Sequence, residues 1–394
     1  MQIARIAAGF TDSIIRDMTR QIALYHPHDG INLAQGFPDF AAPEEVKRAA
    51  CEAIMADLNQ YAITWGTPLL RQAIADRTSE AWGREIDPDR EVTVCAGSTE
   101  AMFVAIMATV NPGDEVVIFA PFYENYWPDT ILAGATPRFV YLHPPDWHIN
   151  RDELRRAFGP RTRGIVVNTP HNPTGKVYSQ DELLFIAQLC HEYNAWCYTD
   201  EIYEHLVYDG RHIPPATLPG MAERTISISG LSKTFSVTGW RLGYAVAPPR
   251  VTLAMRKVHD YVTCGAAHPL QAAGAAALRL GPEYFETLRR EYQERRDFIV
   301  GALHEAGFRC DPPAGAYYAM TDASRVLEGL GLNDDRQLSD YLVREIGLAT
   351  VPGSSFYPDS GEHGRREVRF VFCKKMETLR QAVPLLQRLR ERVA

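Results

Sequence analysis

The stretch Ser229 to Tyr244, SGLSKTFSVTGWRLGY, sets one lysine among small and aromatic residues, with Gly230 and Ser232 before it and Thr238, Gly239 and Arg241 after it. A lone loop lysine is ordinarily a solvated surface charge. Lys233, however, has no charge run beside it, and a partly desolvated lysine with a lowered pKa is the amine that forms Schiff bases with carbonyl compounds. Arg241, eight residues on, offers a planar fork of donors suited to a phosphate. A carboxylate stands 33 residues before the lysine: Asp200 ends the run AWCYTD, and Tyr203 follows it. Taken alone, Asp200 reads equally well as the cap of the next helix.

The run CAGSTEAMF gives a strand, then Gly97, Ser98 and Thr99, then a helix. That order aims free N–H groups and the positive end of a helix dipole at an anion, although it matches no Walker or Rossmann glycine pattern and is also a plain N-cap. The turn NTPHNPTGK, 168–176, clusters Asn and Pro as structural turns do. Its His171 receives no role, since a turn histidine beside a site is more often a bystander than a catalyst. Tyr123 in APFYENY lies just past the run EVVIF, at the rim of any pocket there or in the core. REVRFVFC places Arg369 inside a predicted strand, where an unpaired guanidinium is costly and an internal ion pair is one remedy.

These residues need a scaffold, and the chain supplies one. Seven β-rich runs, EVTVC, EVVIF, PRFVYL, GIVVN, AWCYTD, TISIS and LGYAVA, lie between residues 90 and 250, separated by helical patterns such as Thr99 to Val110 and Asp181 to Glu192. They lack clean two-residue alternation, as strands buried on both faces of a mainly parallel sheet do. An α/β layered domain follows. Beyond Pro248 long helical stretches such as Pro282 to Glu305 take over, with short strands near Ala316 to Thr321 and Glu367 to Phe372, which implies a second, smaller α+β domain. The segment before about residue 45 is too short for a domain and reads as an arm against the small domain or a partner subunit.

Composition narrows the function classes. The 394 residues are 46% hydrophobic and 23% charged, with a net charge of −8; disorder, collagen and coiled coils drop out. No run of five like charges occurs, so neither nucleic acid nor an anionic membrane surface is an expected partner. The seven cysteines include no CxxC pair, which argues against a disulfide framework or a zinc ribbon and for a reducing, cytoplasmic setting. Asp12, Arg16 and Asp17 interrupt any signal-peptide core, and no run approaches a membrane span. Small-molecule chemistry without a metal is the expectation.

The lysine stretch resembles the pyridoxal-phosphate motif of the class I and II aminotransferases, which have the aspartate aminotransferase fold, and the resemblance runs over nearly the whole chain, from QGFPDF to the Arg369 strand. It implies a fold type I α/β enzyme: a large domain with a mainly parallel seven-stranded sheet between helices, plus a small α+β domain. The expected division is 1–45 for the arm and part of the small domain, 46–283 for the large cofactor-binding domain and 284–394 for the C-terminal small domain. By resemblance Lys233 is the catalytic residue and carries pyridoxal 5′-phosphate as a Schiff base. Asp200 faces the pyridine nitrogen and keeps the ring an electron sink. Asn172 and Tyr203 bond the 3′ oxygen, Tyr123 stacks on the ring, and Gly97, Ser98, Thr99, Ser232 and Arg241 form the phosphate cup. Arg369, with Gly36 and Asn172, receives the substrate α-carboxylate. Tyr61 in LNQYAITWG reaches the neighbouring subunit's phosphate, which makes a homodimer with shared active sites the expected assembly.

The implied activity is ping-pong transfer of an amino group from an L-amino acid to a 2-oxo acid. QGFPDF with NQYAITWG and PFYENY resembles most the kynurenine aminotransferase, glutamine transaminase K and methionine aminotransferase branch. Trp65 and Tyr61 suggest a pocket for aromatic or thioether side chains; with Arg16, Arg20 or Arg71 as a second arginine, an aspartate/2-oxoglutarate aminotransferase stays open. A cysteine-S-conjugate β-lyase would use the same residues. A transcription regulator with an aminotransferase-like sensor would need a helix-turn-helix ahead of the motifs, where only about 30 residues precede INLAQGFPDF.

Overall fold

The computed structural model describes residues 3–10, 12–358 and 363–393. Thirteen strands occur among them: β1 Ile31–Asn32, β2 Val92–Cys95, β3 Glu115–Ala120, β4 Thr136–His143, β5 His148–Ile149, β6 Thr162–Asn168, β7 Trp196–Asp200, β8 Thr225–Gly230, β9 Gly243–Val246, β10 Tyr318–Asp322, β11 Leu348–Ala349, β12 Val351–Pro352 and β13 Glu367–Val371. The main sheet runs β2-β9-β8-β7-β6-β3-β4-β5. Its inner pairs β3–β4, β3–β6, β6–β7 and β7–β8 are parallel, and β9 lies antiparallel between β8 and β2. Every residue of β3, β8 and β9 is buried, because helices cover both faces; this is why the strands read as continuous apolar runs.

All seven expected strands are present, but the sheet has eight. The additional strand, β5, is only two residues long and pairs antiparallel with the end of β4. It carries His148 and Ile149 behind Pro144 and Pro145, too short and too polar for a hydrophobic pattern to announce it. The helices follow their local signals. Ser179 accepts the N–H of Glu182 and the Glu182 side chain accepts that of Ser179, a capping box that starts the helix Gln180–Glu192. The helix Pro282–Glu305 begins on proline, whose fixed φ suits a first turn.

The two chain ends meet. β1 pairs in parallel with β11, and the Val371 N–H donates to the Leu33 carbonyl at 3.0 Å, while β10, β13 and β12 form a separate antiparallel sheet. Leu33 accordingly shares one buried apolar cluster with Ile299, Phe308, Phe370 and Leu386. Among the described residues no helix is long and apolar enough to cross a membrane, and all seven cysteines are free thiols.

Candidate active site

Five strands deliver the chemistry-bearing residues to one edge of the main sheet. β7 ends on Asp200; β8 ends on Gly230, just before Ser232 and Lys233; β6 ends on Asn168 and opens the turn that carries Asn172. β3 ends before Tyr123, and β2, which runs in the same direction, ends before Gly97. Carboxyl ends of parallel strands leave an open crevice there because each chain must turn away toward its helix.

The cup around the helix Ser98–Thr109 depends on two glycines. Gly97 sits at φ 90°, and a Cβ on it would stand 2.5 Å from Nη2 of Arg241. A Cβ on Gly243 of β9 would lie 2.2 Å from the amide nitrogen of Ser98. Without those carbons Arg241 and β9 close directly on the helix start, where the Ser98 and Thr99 amides have no carbonyl one turn back to bond. Nη1 of Arg241 donates to the Thr238 carbonyl at 3.2 Å, which leaves most of its fork available.

Lys233 Nζ donates to the Gly36 carbonyl at 3.3 Å. Burial lowers its pKa to about 8; the charges of Arg241 and Arg369 push the same way, while Cys373 and Asp200 oppose them. Asp200 accepts the Tyr126 hydroxyl at 2.7 Å on Oδ2 and the Ile202 N–H at 3.3 Å on Oδ1. Burial pushes its carboxyl up from the ordinary value, opposed by those two bonds and by the Lys233 charge. Asn168 accepts the Asn172 N–H at 2.7 Å and donates to the Asp200 carbonyl at 2.9 Å, so one amide side chain spaces the β6 turn against β7.

Arg369 is 1% exposed. Nη1 donates to Asn172 Oδ1 at 2.9 Å and Nη2 to the Ala34 carbonyl at 2.8 Å, and the guanidinium lies 4.4 Å from the Tyr318 ring centre and 4.7 Å from that of Phe356. Its Nε is buried without a partner, and among the described residues no carboxylate forms a salt bridge with it, Glu124 acting only as a nearby charge. The internal ion pair open to it in the sequence is therefore not formed. Burial pulls its pKa down, opposed by Tyr318, Tyr203 and Glu124, and a buried guanidinium with no salt bridge among the described residues is suited to receive an anion. Tyr203 and Tyr318 share a hydroxyl hydrogen bond of 2.7 Å, and a Cβ on Gly36 would reach 2.6 Å from the Tyr318 hydroxyl.

A cavity of about 390 Å³ opens among these groups. Gly36, Ser98, Thr99, Tyr123, Asn172, Asp200, Tyr203, Ser232, Lys233 and Arg241 all line it. Gly97 stands behind Arg241, and Arg369 reaches the lining through Asn172. Tyr61 does not: it is 88% exposed and belongs to a separate concavity with Gln60, Cys264 and His268. Sequence reasoning missed Tyr126, Asn168 and Tyr318, which line the cavity and bond its members. Asn168 was within the quoted turn and Tyr126 within PFYENY, but no local signal marks Tyr318.

Several substrate-side expectations change. Trp65 lies outside the cavity lining; its carbonyl accepts the Val94 N–H at 3.1 Å and its ring covers Arg256 at 4.9 Å, so it packs beneath β2 and cannot shape a substrate pocket in this chain's own cavity. Arg71 is buried and spent on Gly66, Pro88 and Asp89, and Arg20 pairs with Asp17. Arg16 lines the cavity, and no salt bridge holds it among the described residues. His171 is buried against Thr174, and burial drives its pKa down to about 3, so it stays neutral.

The donor set defines what fits. Two helix-start amides, Ser232 and Arg241 suit a phosphate; Asp200 suits a protonated ring nitrogen; Lys233 suits an aldehyde; and the anion-deficient Arg369 suits a carboxylate.

Comparison with known proteins shows which family this chain matches. The sequence model of the family Aminotransferase class I and II matches residues 28–385. Kynurenine–oxoglutarate transaminase 1 of Homo sapiens is 38% identical over 387 residues, covering 91% of this chain and 92% of that protein. Methionine aminotransferase of Escherichia coli is 36% identical over 372 residues, covering 94% and 95%. The structure of N-succinyldiaminopimelate aminotransferase from Mycobacterium tuberculosis superposes with a TM-score of 0.93 at 37% identity, over 99% of this chain and 100% of that one.

Proposed function

The chain belongs to the class I and II aminotransferases, and from that we propose that its cavity binds pyridoxal 5′-phosphate and that the residues around it divide the work of amino transfer as follows. When bound, that cofactor supplies an electron sink for charge released at the substrate Cα. Lys233 would hold it, and its amine is the base that moves a proton at Cα; a pKa near 8 keeps a useful neutral fraction at ordinary pH. Asp200, oriented by Tyr126 and Ile202, would hold the ring nitrogen protonated. Ser98, Thr99, Ser232 and Arg241 would hold the phosphate, Tyr123 would cover the ring, and Asn172 with Tyr203 would bond its 3′ oxygen.

Arg369 would fix the substrate α-carboxylate bidentately, and Gly36 leaves room for it beside Tyr318. The observation that carries this reading is Lys233, Asp200 and an anion-deficient Arg369 gathered at one 390 Å³ cavity. The amino donor we propose is aromatic, methionine-like, glutamine-like or kynurenine, in line with the names of the relatives. An absorbance assay with a panel of amino donors tests it: conversion of the bound cofactor to its amine form by none of them would overturn the reading. Pyruvate released without an oxo-acid acceptor would instead identify β-elimination.

Arg16 favours a second substrate reading. A cavity-lining guanidinium with no salt bridge among the described residues suits the distal carboxylate of a dicarboxylic substrate, as in aspartate/2-oxoglutarate transfer. We further propose a cytoplasmic homodimer in which the exposed Tyr61 reaches the partner's phosphate cup, with 1–45, 46–283 and 284–394 as its arm, large and small domain segments.

A further inference from the structure

Outside the cavity lining, against the same helix Ser98–Thr109, Cys95, Glu100 and His259 are all buried, with ligand-type atoms within 4.8 Å of one another. Their hydrogen bonds fix where the charge sits. His259 Nε2 is 2.8 Å from the Thr64 carbonyl, which can only accept, so this nitrogen carries a proton. Nδ1 is 2.7 Å from Glu100 Oε1. Glu100 also accepts the Thr263 hydroxyl at 2.8 Å and the Ala96 N–H. At 2.7 Å one proton must lie between Nδ1 and Oε1, and because the Thr263 and Ala96 donors also point at this carboxyl group, the arrangement favours the ring as its holder.

With that proton on the ring both nitrogens of His259 are donors, which leaves no lone pair for a metal and makes the pair an imidazolium facing a carboxylate. Burial alone would neutralise it; Glu100, the Thr64 carbonyl and the Asp260 charge outweigh burial and hold its pKa up. Asp260 in turn accepts the Thr64 hydroxyl at 3.0 Å, and the buried Cys95 stays a thiol.

The placement gives this charge a task. Ala96 directly precedes Gly97, and Glu100 is the third residue of the helix whose first two amides make the cup. Glu100 orients that backbone, yet an uncompensated carboxylate there repels a phosphate dianion. We propose that His259 is a positioning residue for the cofactor phosphate: it cancels the Glu100 charge behind the cup and, through the Thr64 carbonyl, ties the Tyr61-bearing segment to the same anchor. This rests on the pyridoxal phosphate reading of the cavity.

The test strips cofactor from the wild type, His259→Gln and the double variant His259→Gln/Glu100→Gln, then titrates each with pyridoxal phosphate and with pyridoxal, which lacks the phosphate. His259→Gln should weaken pyridoxal phosphate on the order of tenfold and leave pyridoxal unchanged, and the added Glu100→Gln should restore most of the loss. Equal weakening of both ligands, or a double variant no tighter than the single one, would show a merely structural pair and overturn the proposal. A wild type that binds neither ligand would instead sink the underlying cofactor reading. Should His259→Gln not fold, nitrogen NMR of the wild-type ring decides: doubly protonated at about pH 8 supports the imidazolium, and a neutral tautomer overturns it.

Discussion

Lys233 meets two demands that water would set against each other, a neutral amine and a fixed position. Burial supplies the first and the Gly36 carbonyl the second. Lys233→Ala should lower turnover about 10³-fold or more, with loss of the visible absorbance of bound cofactor; retention of both would remove Lys233 from the chemistry. In cofactor-free protein the neutral fraction of this amine grows as pH rises through about 8, so borohydride trapping of Lys233 with pyridoxal should rise over that range. A rise only near the ordinary lysine range, about 10.4, would mean the amine is not desolvated. At Arg16 the dicarboxylate reading predicts that Arg16→Ala raises KM for acidic substrates about tenfold or more, the loss of one charged hydrogen bond, and spares methionine and phenylalanine. Equal effects on both classes would exclude it.

Elements hold these residues through their ends. β2, β3, β6, β7 and β8 all stop at one edge, so Gly97, Tyr123, Asn172, Asp200 and Lys233, which local signals left ambiguous and the family resemblance singled out, come together there. What the signals did not contain was the distance between elements. The Cβ contact of 2.2 Å predicted for Gly243 against Ser98 means Gly243→Ala must push β9 off the helix start. We expect pyridoxal phosphate affinity to fall at least about tenfold through displaced amide donors, read by titrating stripped protein. An unchanged affinity would show that the cup does not use these amides. Removal of the capping box by Ser179→Ala, remote from the cavity, should cost only about 1 kcal/mol in unfolding and leave kcat/KM intact. β5 escaped notice for the opposite reason: two residues carry too little pattern to register.

At the scale of the whole molecule, the chain ends close the site. β1 on β11 and Leu33 on Val371 bring Gly36 and Arg369 to Lys233. Tyr61 faces outward at 88% exposure, and the shared-site proposal predicts that mixing inactive Lys233→Ala and Tyr61→Ala proteins, after subunit exchange, restores activity that neither has alone. A fully active monomer in sedimentation would end that proposal.

By itself the sequence determined the family and the α/β class, because the motif runs and the buried strand pattern are both local, and its resemblance to that family supplied the site residues proposed here. Only the tertiary structure decided the rest. Tyr126 meets Asp200 from 74 residues away, Tyr203 meets Tyr318 across 115 and Glu100 meets His259 across 159. It also placed Arg16, and not Arg20 or Arg71, on the cavity wall, and put Trp65 outside the lining of this chain's own cavity. The physical reason is the same throughout: a motif records what a backbone segment can present, whereas pairing, desolvation and charge compensation depend on which distant segment folds against it.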